Sequence, residues 1–468
     1  MRAHRCLIPS LAVLAACAAL DAGAAQAQEN QRVVPSSAMG MKQSFAPVVK
    51  RAAPAVVNIS AKRVVRQYVD PFWQALGMGA PRNRVEGSLG SGVIVRADGV
   101  IVTNNHVIEH ADDITVSLYD RREFPAKVML ADARTDLAVL KIDLPAGEKL
   151  PVMPISDRAG ETQVGDLVLA IGDPFGVGQT VTNGIISALN RTADPNSDQG
   201  AYIQTDAAIN PGNSGGALVS MDGELIGLNS FIYSQSGQSS GIGFAIPAVV
   251  VRRVVETAMG GGTTVVRPWI AARLQSVTPE IAKSTGLATP SGALVSDVWP
   301  GGVAQRAGLK QGDIITAVDS QPVVDAAGVN FAIAAHRPGD TVRLGVRRDK
   351  AEQNMTLRAE AAPATPPRDE KLIAGRNPFQ GATVVNLSPA VAEEVGLDPF
   401  GREGVLVTKT DQGLAHQLGV QPGDIIRAIN GRSIKTVADL SSAVVAPSPV
   451  WQVTIERNGR QLTTTLRT

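Results

Sequence analysis

The stretch Gln204-Thr205-Asp206-Ala207-Ala208-Ile209-Asn210-Pro211-Gly212-Asn213-Ser214-Gly215-Gly216-Ala217-Leu218 decides how the chain is read. Glycines on both sides of one serine permit a tight backbone path that leaves the hydroxyl exposed and lets a carbonyl approach the main chain. Such a turn suits an acyl-transfer nucleophile. Its amides can converge where an oxyanion develops, and each donor there contributes about 3–4 kcal/mol. Gly212 and Ser214 are the expected donors, with the Asn213 amide as a third. The same residues also make an ordinary Gly-rich hairpin turn, so the serine needs a base before the turn implies chemistry.

The chain has five histidines. His4 lies in the N-terminal segment, and His336 and His416 lie in C-terminal repeats, which leaves His106 and His110. His106 ends the run Val100-Ile101-Val102-Thr103-Asn104-Asn105-His106, which delivers an imidazole to the end of a strand. His110 follows in a polar stretch and reads as a solvated surface residue. The acid that orients the imidazole is expected to be Asp136, at the entrance to the apolar strand Leu137-Ala138-Val139-Leu140; Asp132 is the rival, further from that strand. The order His106, Asp136, Ser214 is that of chymotrypsin-like proteases and differs from subtilisins and α/β-hydrolases.

On these residues the sequence resembles the HtrA/Deg family of serine proteases, of the periplasmic Do type. The matching segments are Gly90-Ser91-Gly92-Val93-Ile94, Thr103-Asn104-Asn105-His106-Val107-Ile108, Thr135-Asp136-Leu137-Ala138-Val139-Leu140-Lys141, the Ser214 stretch, and Gly241-Ile242-Gly243-Phe244-Ala245-Ile246-Pro247. The resemblance implies a mainly β chain: a chymotrypsin-like double β-barrel followed by two PDZ-like α+β domains. It implies an ATP-independent endopeptidase for unfolded or damaged envelope proteins, a trimeric building unit, and cleavage after small aliphatic residues. Ala207-Ala208-Ile209 carries no charge that would favour a basic residue there. Pro211 departs from the family, where a larger or charged residue is usual. It has no N–H to donate and restricts Asn210, leaving formed and collapsed oxyanion holes both open.

At 468 residues with a formal charge of +1, the chain has room for two or three domains and no global field for nucleic acid. No GxxxxGK[ST] loop is present, so no nucleotide cofactor is expected. Cys6 and Cys17 are the two cysteines, and the histidines have no zinc spacing, so neither a metal nor a disulfide is expected in the folded part. Arg2, His4 and Arg5, the apolar run Leu7 to Leu20, and Ala25-Gln26-Ala27 read as an export signal over residues 1–27. Leu14-Ala15-Ala16-Cys17 also has the form of a lipobox. Soluble periplasmic export is preferred to a lipid anchor at Cys17.

The protease domain is expected over 44–259. Phe45 to Ala53 has helical spacing, Arg63 to Glu86 with Tyr68, Phe72 and Trp73 reads as a long loop, Asp98-Gly99 marks a hairpin, and Pro247 to Met259 reads as a closing helix. After the Gly260-Gly261-Gly262 linker the sequence repeats. Gly308-Leu309-Lys310-Gln311-Gly312-Asp313-Ile314-Ile315 aligns with Gly419-Val420-Gln421-Pro422-Gly423-Asp424-Ile425-Ile426. The long period suits two copies of a small domain, at 263–360 and 372–468, both resembling PDZ domains. Such domains add a peptide as a strand and hold its C-terminal carboxylate in backbone amides. The expected loop residues are Trp269, Ile270 and Ala271 in the first copy and Gly381, Ala382 and Thr383 in the second. Alanine replaces the family's glycine at Ala271, so the second copy is expected to capture peptide termini better. A reading from another class is a PDZ-bearing chaperone or scaffold with weak or secondary proteolysis.

Overall fold

The computed structural model describes residues 44–66, 83–157, 162–174, 178–191, 202–210, 212–232, 241–410, 413–445 and 448–467. The export segment with Cys17, the aromatics Tyr68 to Trp73, and Pro211 lie outside the described residues. The chain divides into Met1–Pro47 and Val48–Thr468, with helix Ala46–Ala52 crossing the division. Everything below concerns the second unit.

Twelve strands precede the linker: β1 (Val56–Arg66), β2 (Asn83–Arg96), β3 (Val100–Thr103), β4 (Asp113–Ser117), β5 (Glu123–Asp132), β6 (Leu137–Ile142), β7 (Leu167–Gly172), β8 (Thr180–Arg191), β9 (Tyr202–Thr205), β10 (Ala217–Ser220), β11 (Leu225–Ile232) and β12 (Gly243–Pro247). They close two barrels, in the orders β1-β2-β3-β6-β5-β4 and β10-β11-β12-β9-β8-β7. Closure leaves no sheet edge. The segment expected as a loop over 63–86 is strand at both ends, with Arg63 opposite Glu86 and Arg66 opposite Asn83. Backbone pairing forms that ladder, and a search for apolar alternation does not detect it.

Each barrel fills with the aliphatic residues of its strands, among them Val57, Ile59, Val93, Ile101 and Leu140 in the first and Val168, Ala170, Ile203 and Leu218 in the second. Polar residues are buried along the seam between the barrels. Asn58 Nδ2 of β1 donates to Asp173 O at 2.7 Å, and Ser91 N of β2 donates to Ser214 O at 2.8 Å. Because a buried polar group must find a partner, these bonds set the barrels in register with each other. Helix Ala248–Met259 follows β12 and buries Val251, Val254 and Val255.

The first repeat forms a six-stranded sheet and the second a seven-stranded one. Each has its own apolar core, around Val295, Ile315, Leu344 and Val346 in the first and around Phe379, Val405, Ile426 and Trp451 in the second. The longest helix of the first copy runs Ala326–Ala334 and its counterpart in the second Val437–Ala443.

Candidate active site

Strand β3 ends at Thr103, and the helical turn Asn105–Ile108 carries His106 out of the first barrel with its side chain about half exposed. Asp136 ends the turn between β5 and β6 and takes φ of 54°, a conformation that aspartate tolerates better than most residues. Its carbonyl accepts hydrogen bonds from the Asn105 amide at 3.0 Å and from Asn104 Nδ2 at 2.9 Å. Its carboxylate accepts from the His106 amide at 2.9 Å and lies 2.7 Å from His106 Nδ1. Ser230 Oγ, from β11 of the second barrel, donates to Asp136 Oδ2 at 3.0 Å. With Nδ1–H committed to the carboxylate, Nε2 carries the lone pair that can take a proton.

The rivals are occupied elsewhere. Asp132 pairs with Arg267. His110 is exposed, takes φ of 61°, and lies 3.6 Å from Glu109.

Ser214 sits in the turn before β10. Its carbonyl is held by Ser91 N, and the next amide, Gly215 N, donates to Asn229 O at 2.8 Å. At Gly215, with φ of 81°, a Cβ would lie 2.1 Å from Ser91 O, so no larger residue fits beside the serine. Gly212 takes φ of 98°, and its carbonyl accepts from Ser91 Oγ at 2.6 Å. Ser91 Oγ accepts in turn from Asp173 N at 2.8 Å, and burial holds the Asp173 carboxyl above the usual carboxylate range.

The Asn213 amide donates to Asn210 O at 3.0 Å. It is therefore committed inside the turn and is not a third oxyanion donor in this conformation. Among the described residues the amides of Gly212 and Ser214 donate to no other group, and Ser214 Oγ has no hydrogen-bond partner. The structure thus joins His106 to Asp136 and locks the Ser214 turn. The serine–imidazole bond is one that often tightens only around substrate.

Ser91, Asn104 and Ser230 are additional site residues that motif reading passed over. The available signal was a polar side chain inside an apolar strand run, as at Ser91 in Gly90 to Ile94 and at Asn229-Ser230 within Leu225–Ile232. Tyr202 of β9 lies near the carboxylate, and burial together with the Asp136 charge pushes its phenol up to about 12. It stays neutral at working pH.

A trypsin-like peptidase domain model matches residues 90–228, and PDZ domain models match 263–358 and 410–451. A probable periplasmic serine endoprotease, DegP-like, from Halomonas elongata is 39% identical over 434 residues, covering 87% of this chain and 89% of the relative. The chain belongs to the HtrA-type, DegP-like serine endoproteases. A relative with the same description from Marinomonas is 38% identical over 422 residues, covering 85% of this chain and 87% of its own length. Among solved structures, the HtrA-type protease AlgW with a decapeptide is 42% identical with a TM-score of 0.52, covering 69% of this chain and 99% of AlgW. AlgW with a tripeptide is 43% identical, also at 0.52, with 69% and 98% covered. The chain is accordingly a periplasmic serine endopeptidase with PDZ domains, and the chaperone reading gives way to it.

The two PDZ loops contrast. Ala271 takes φ of 58° and Gly381 takes 86°, so the alanine does not abolish the left-handed turn. In the first domain, strand Ala272–Ser276 ends the sheet, and Ile270, Ala272 and Leu274 line a cavity of 390 Å³ with Asn330, Phe331 and Ala334 of the facing helix.

In the second domain the corresponding strand, Ala382–Asn386, already pairs with Lys371–Leu372, Thr383 lying opposite Leu372. Ile373 N donates to Ala382 O at 2.9 Å, Gly381 N donates to Ile373 O at 3.0 Å, and the Ile373 side chain is buried in the domain core. The chain's own segment thus takes the place of a peptide, with the Ile373 carbonyl on the loop amide. The strand edge of the second copy, expected to capture peptide termini better, is thus paired within its own domain, whereas that of the first copy ends its sheet.

Proposed function

We propose that Ser214 Oγ attacks the scissile carbonyl while His106 Nε2 takes its proton, with Asp136 holding the Nδ1–H tautomer and stabilising the imidazolium. The amides of Gly212 and Ser214 bind the oxyanion. His106 then returns the proton to the leaving amine as the C–N bond breaks, and water repeats the sequence on the acyl-enzyme. The observation that carries this assignment is the 2.7 Å contact of His106 Nδ1 with Asp136, whose carboxylate also accepts from Ser230 of the second barrel.

The substrates in this proposal are unfolded or damaged envelope proteins, cut after small aliphatic residues by a trimer-based assembly of chains exported through residues 1–27, with the protease domain over 44–259. The PDZ domains, over 263–360 and 372–468, take peptide segments: the first at Trp269, Ile270 and Ala271, the second at Gly381, Ala382 and Thr383 once Lys371 to Ile373 has left.

Casein digestion tests the triad. Ser214→Ala, His106→Ala and Asp136→Ala each lower turnover by several orders of magnitude, double variants are little worse, and His110→Ala matches wild type. A normal rate in His106→Ala would refute the assignment.

A further inference from the structure

The cavity beside the first PDZ strand is walled on one side by the protease domain's closing helix, Ala248–Met259, through Val250, Arg253 and Val254. Among the described residues Arg134, Arg253, Arg267 and Arg273 line it. Three of them have an acid: Arg134 meets Glu393 at 3.2 Å, Arg273 meets Asp398 at 2.5 Å, and Arg267 pairs with Asp132. Arg253 has none among the described residues. It is 9% exposed, its Nη2 donates to Val266 O, and its Nε and Nη1 are buried with no hydrogen-bond partner. Burial, and after it the Arg267 charge, lowers its pKa to about 10, which leaves the guanidinium charged at neutral pH. A buried cation held by one neutral carbonyl is costly, and a carboxylate arriving beside it supplies the missing counter-charge.

The place of Arg253 fits one end of a ligand. A peptide added antiparallel to strand Ala272–Ser276 brings its C-terminus to the start of that strand, beside Ile270 and Ala271. The amides of these two residues donate to no group among the described residues. Val266, which Arg253 contacts, lies four residues before Ile270 on the same segment, and Arg253 and Ile270 line one cavity. We infer that Arg253 of the protease domain is a binding residue of the first PDZ domain, taking the C-terminal carboxylate of a bound peptide together with the amides of Ile270 and Ala271. The inference rests on the reading of that domain as a peptide site at Trp269, Ile270 and Ala271. Rotation of the guanidinium away from Val266 O presents Nη1 and Nη2 together to the two carboxylate oxygens, so one neutral hydrogen bond is exchanged for a charged pair of them. A strut that only ties the closing helix to Val266 needs an N–H and no charge.

The test uses the full chain carrying Ser214→Ala, so that peptide is not cut. It titrates one apolar decapeptide in three forms: free acid, C-terminal amide, and amide with a penultimate glutamate. The parent chain is expected to bind the acid about tenfold or more tighter than the plain amide. Arg253→Gln weakens the acid about tenfold to hundredfold and leaves the amide within about twofold. Arg253→Lys, which keeps the charge without the fork, recovers part of the loss. Without peptide, Arg253→Gln unfolds at the same temperature as the parent or a higher one, because an uncompensated buried charge has gone. A lower midpoint, with acid binding that Arg253→Lys does not recover, marks a strut and overturns the inference. An acid preference that survives Arg253→Gln overturns it as well, and so does a glutamate-bearing amide that binds the parent as tightly as the acid. Equal binding of acid and plain amide to the parent overturns instead the reading of the first PDZ domain as a site for peptide termini, so the two failures are distinguishable.

Discussion

In the first PDZ domain Asp313 accepts from Arg348 at 2.7 and 2.6 Å, and Arg348 also donates to Gly308 O at 2.7 Å. In the second, Asp424 accepts from Arg457 at 2.6 and 2.7 Å, and Arg457 donates to Gly419 O at 2.8 Å. Each aspartate also caps its own turn, accepting from Lys310 N at 2.7 Å and from Gln421 N at 2.9 Å. The Gly-Asp-Ile-Ile repeat thus encodes the same scaffold twice.

The ligand faces differ. The first has a free strand edge above a cavity, and the second is filled by Ile373. The first face also meets its neighbour: Trp269, Trp299 and Phe400 pack with ring centroids 5.3 to 6.2 Å apart, and Arg273 lies 4.9 Å over Phe400 while pairing with Asp398. Scaffold positions are constrained within each copy, whereas the groove is constrained by what comes to lie on it, and so the grooves diverged while the ion pair did not.

The strongest test of the shared scaffold is to remove it. Asp313→Ala and Asp424→Ala should each destabilise their own domain by about 3 kcal/mol. Denaturant unfolding of the full chain reads this, Trp269 and Trp299 reporting the first domain and the buried Trp451 the second. Unequal losses, one near zero, would show that the likeness is only geometric.

Ile373→Ala should cost the second domain about 2 kcal/mol of stability and open its groove. Calorimetry with an apolar-ended peptide bearing a free carboxylate should count one site per wild-type chain and two per variant. Two sites in wild type would mean that Lys371 to Ile373 does not compete with peptide.

A double-mutant cycle on Trp299→Ala and Phe400→Ala sharpens the contrast at the first face. The coupling should be about 1 kcal/mol, as for edge-to-face aromatic pairs. Additive losses would place no energetic link between the two domains there.

The smallest expected effect separates the two loop residues. Gly381→Ala should destabilise by about 1 kcal/mol through its left-handed φ. Ala271→Gly should be near neutral, since relief of about 1 kcal/mol of strain is offset by about 0.8 kcal/mol of lost methyl burial and by added freedom in the unfolded chain. A gain above 1 kcal/mol would mean that Ala271 is strained for a functional reason.

Much of the fold, and the pairing of His106 with Asp136 in the candidate site, was legible in the residues themselves. The alternating and apolar runs, the Asp98-Gly99 hairpin and the repeated Gly-Asp-Ile-Ile are local patterns with local causes, and they identify strands, the closing helix and two copies of one domain. The His106, Asp136 and Ser214 segments were marked by glycine and turn chemistry that also acts over a few residues. The pairing of Asp132 with Arg267, 135 positions away, had no such mark, and neither did Ser230 on the Asp136 carboxylate or Ser91 on the Gly212 carbonyl. Nor did the sequence show that the Asn213 amide is committed to Asn210 O, or that Ile373 lies along its own domain's strand. Each depends on which buried group meets which other after two barrels and two sheets have closed. A hydrogen bond between distant segments is decided by desolvation and packing in the assembled structure, and short-range residue preferences carry no record of it.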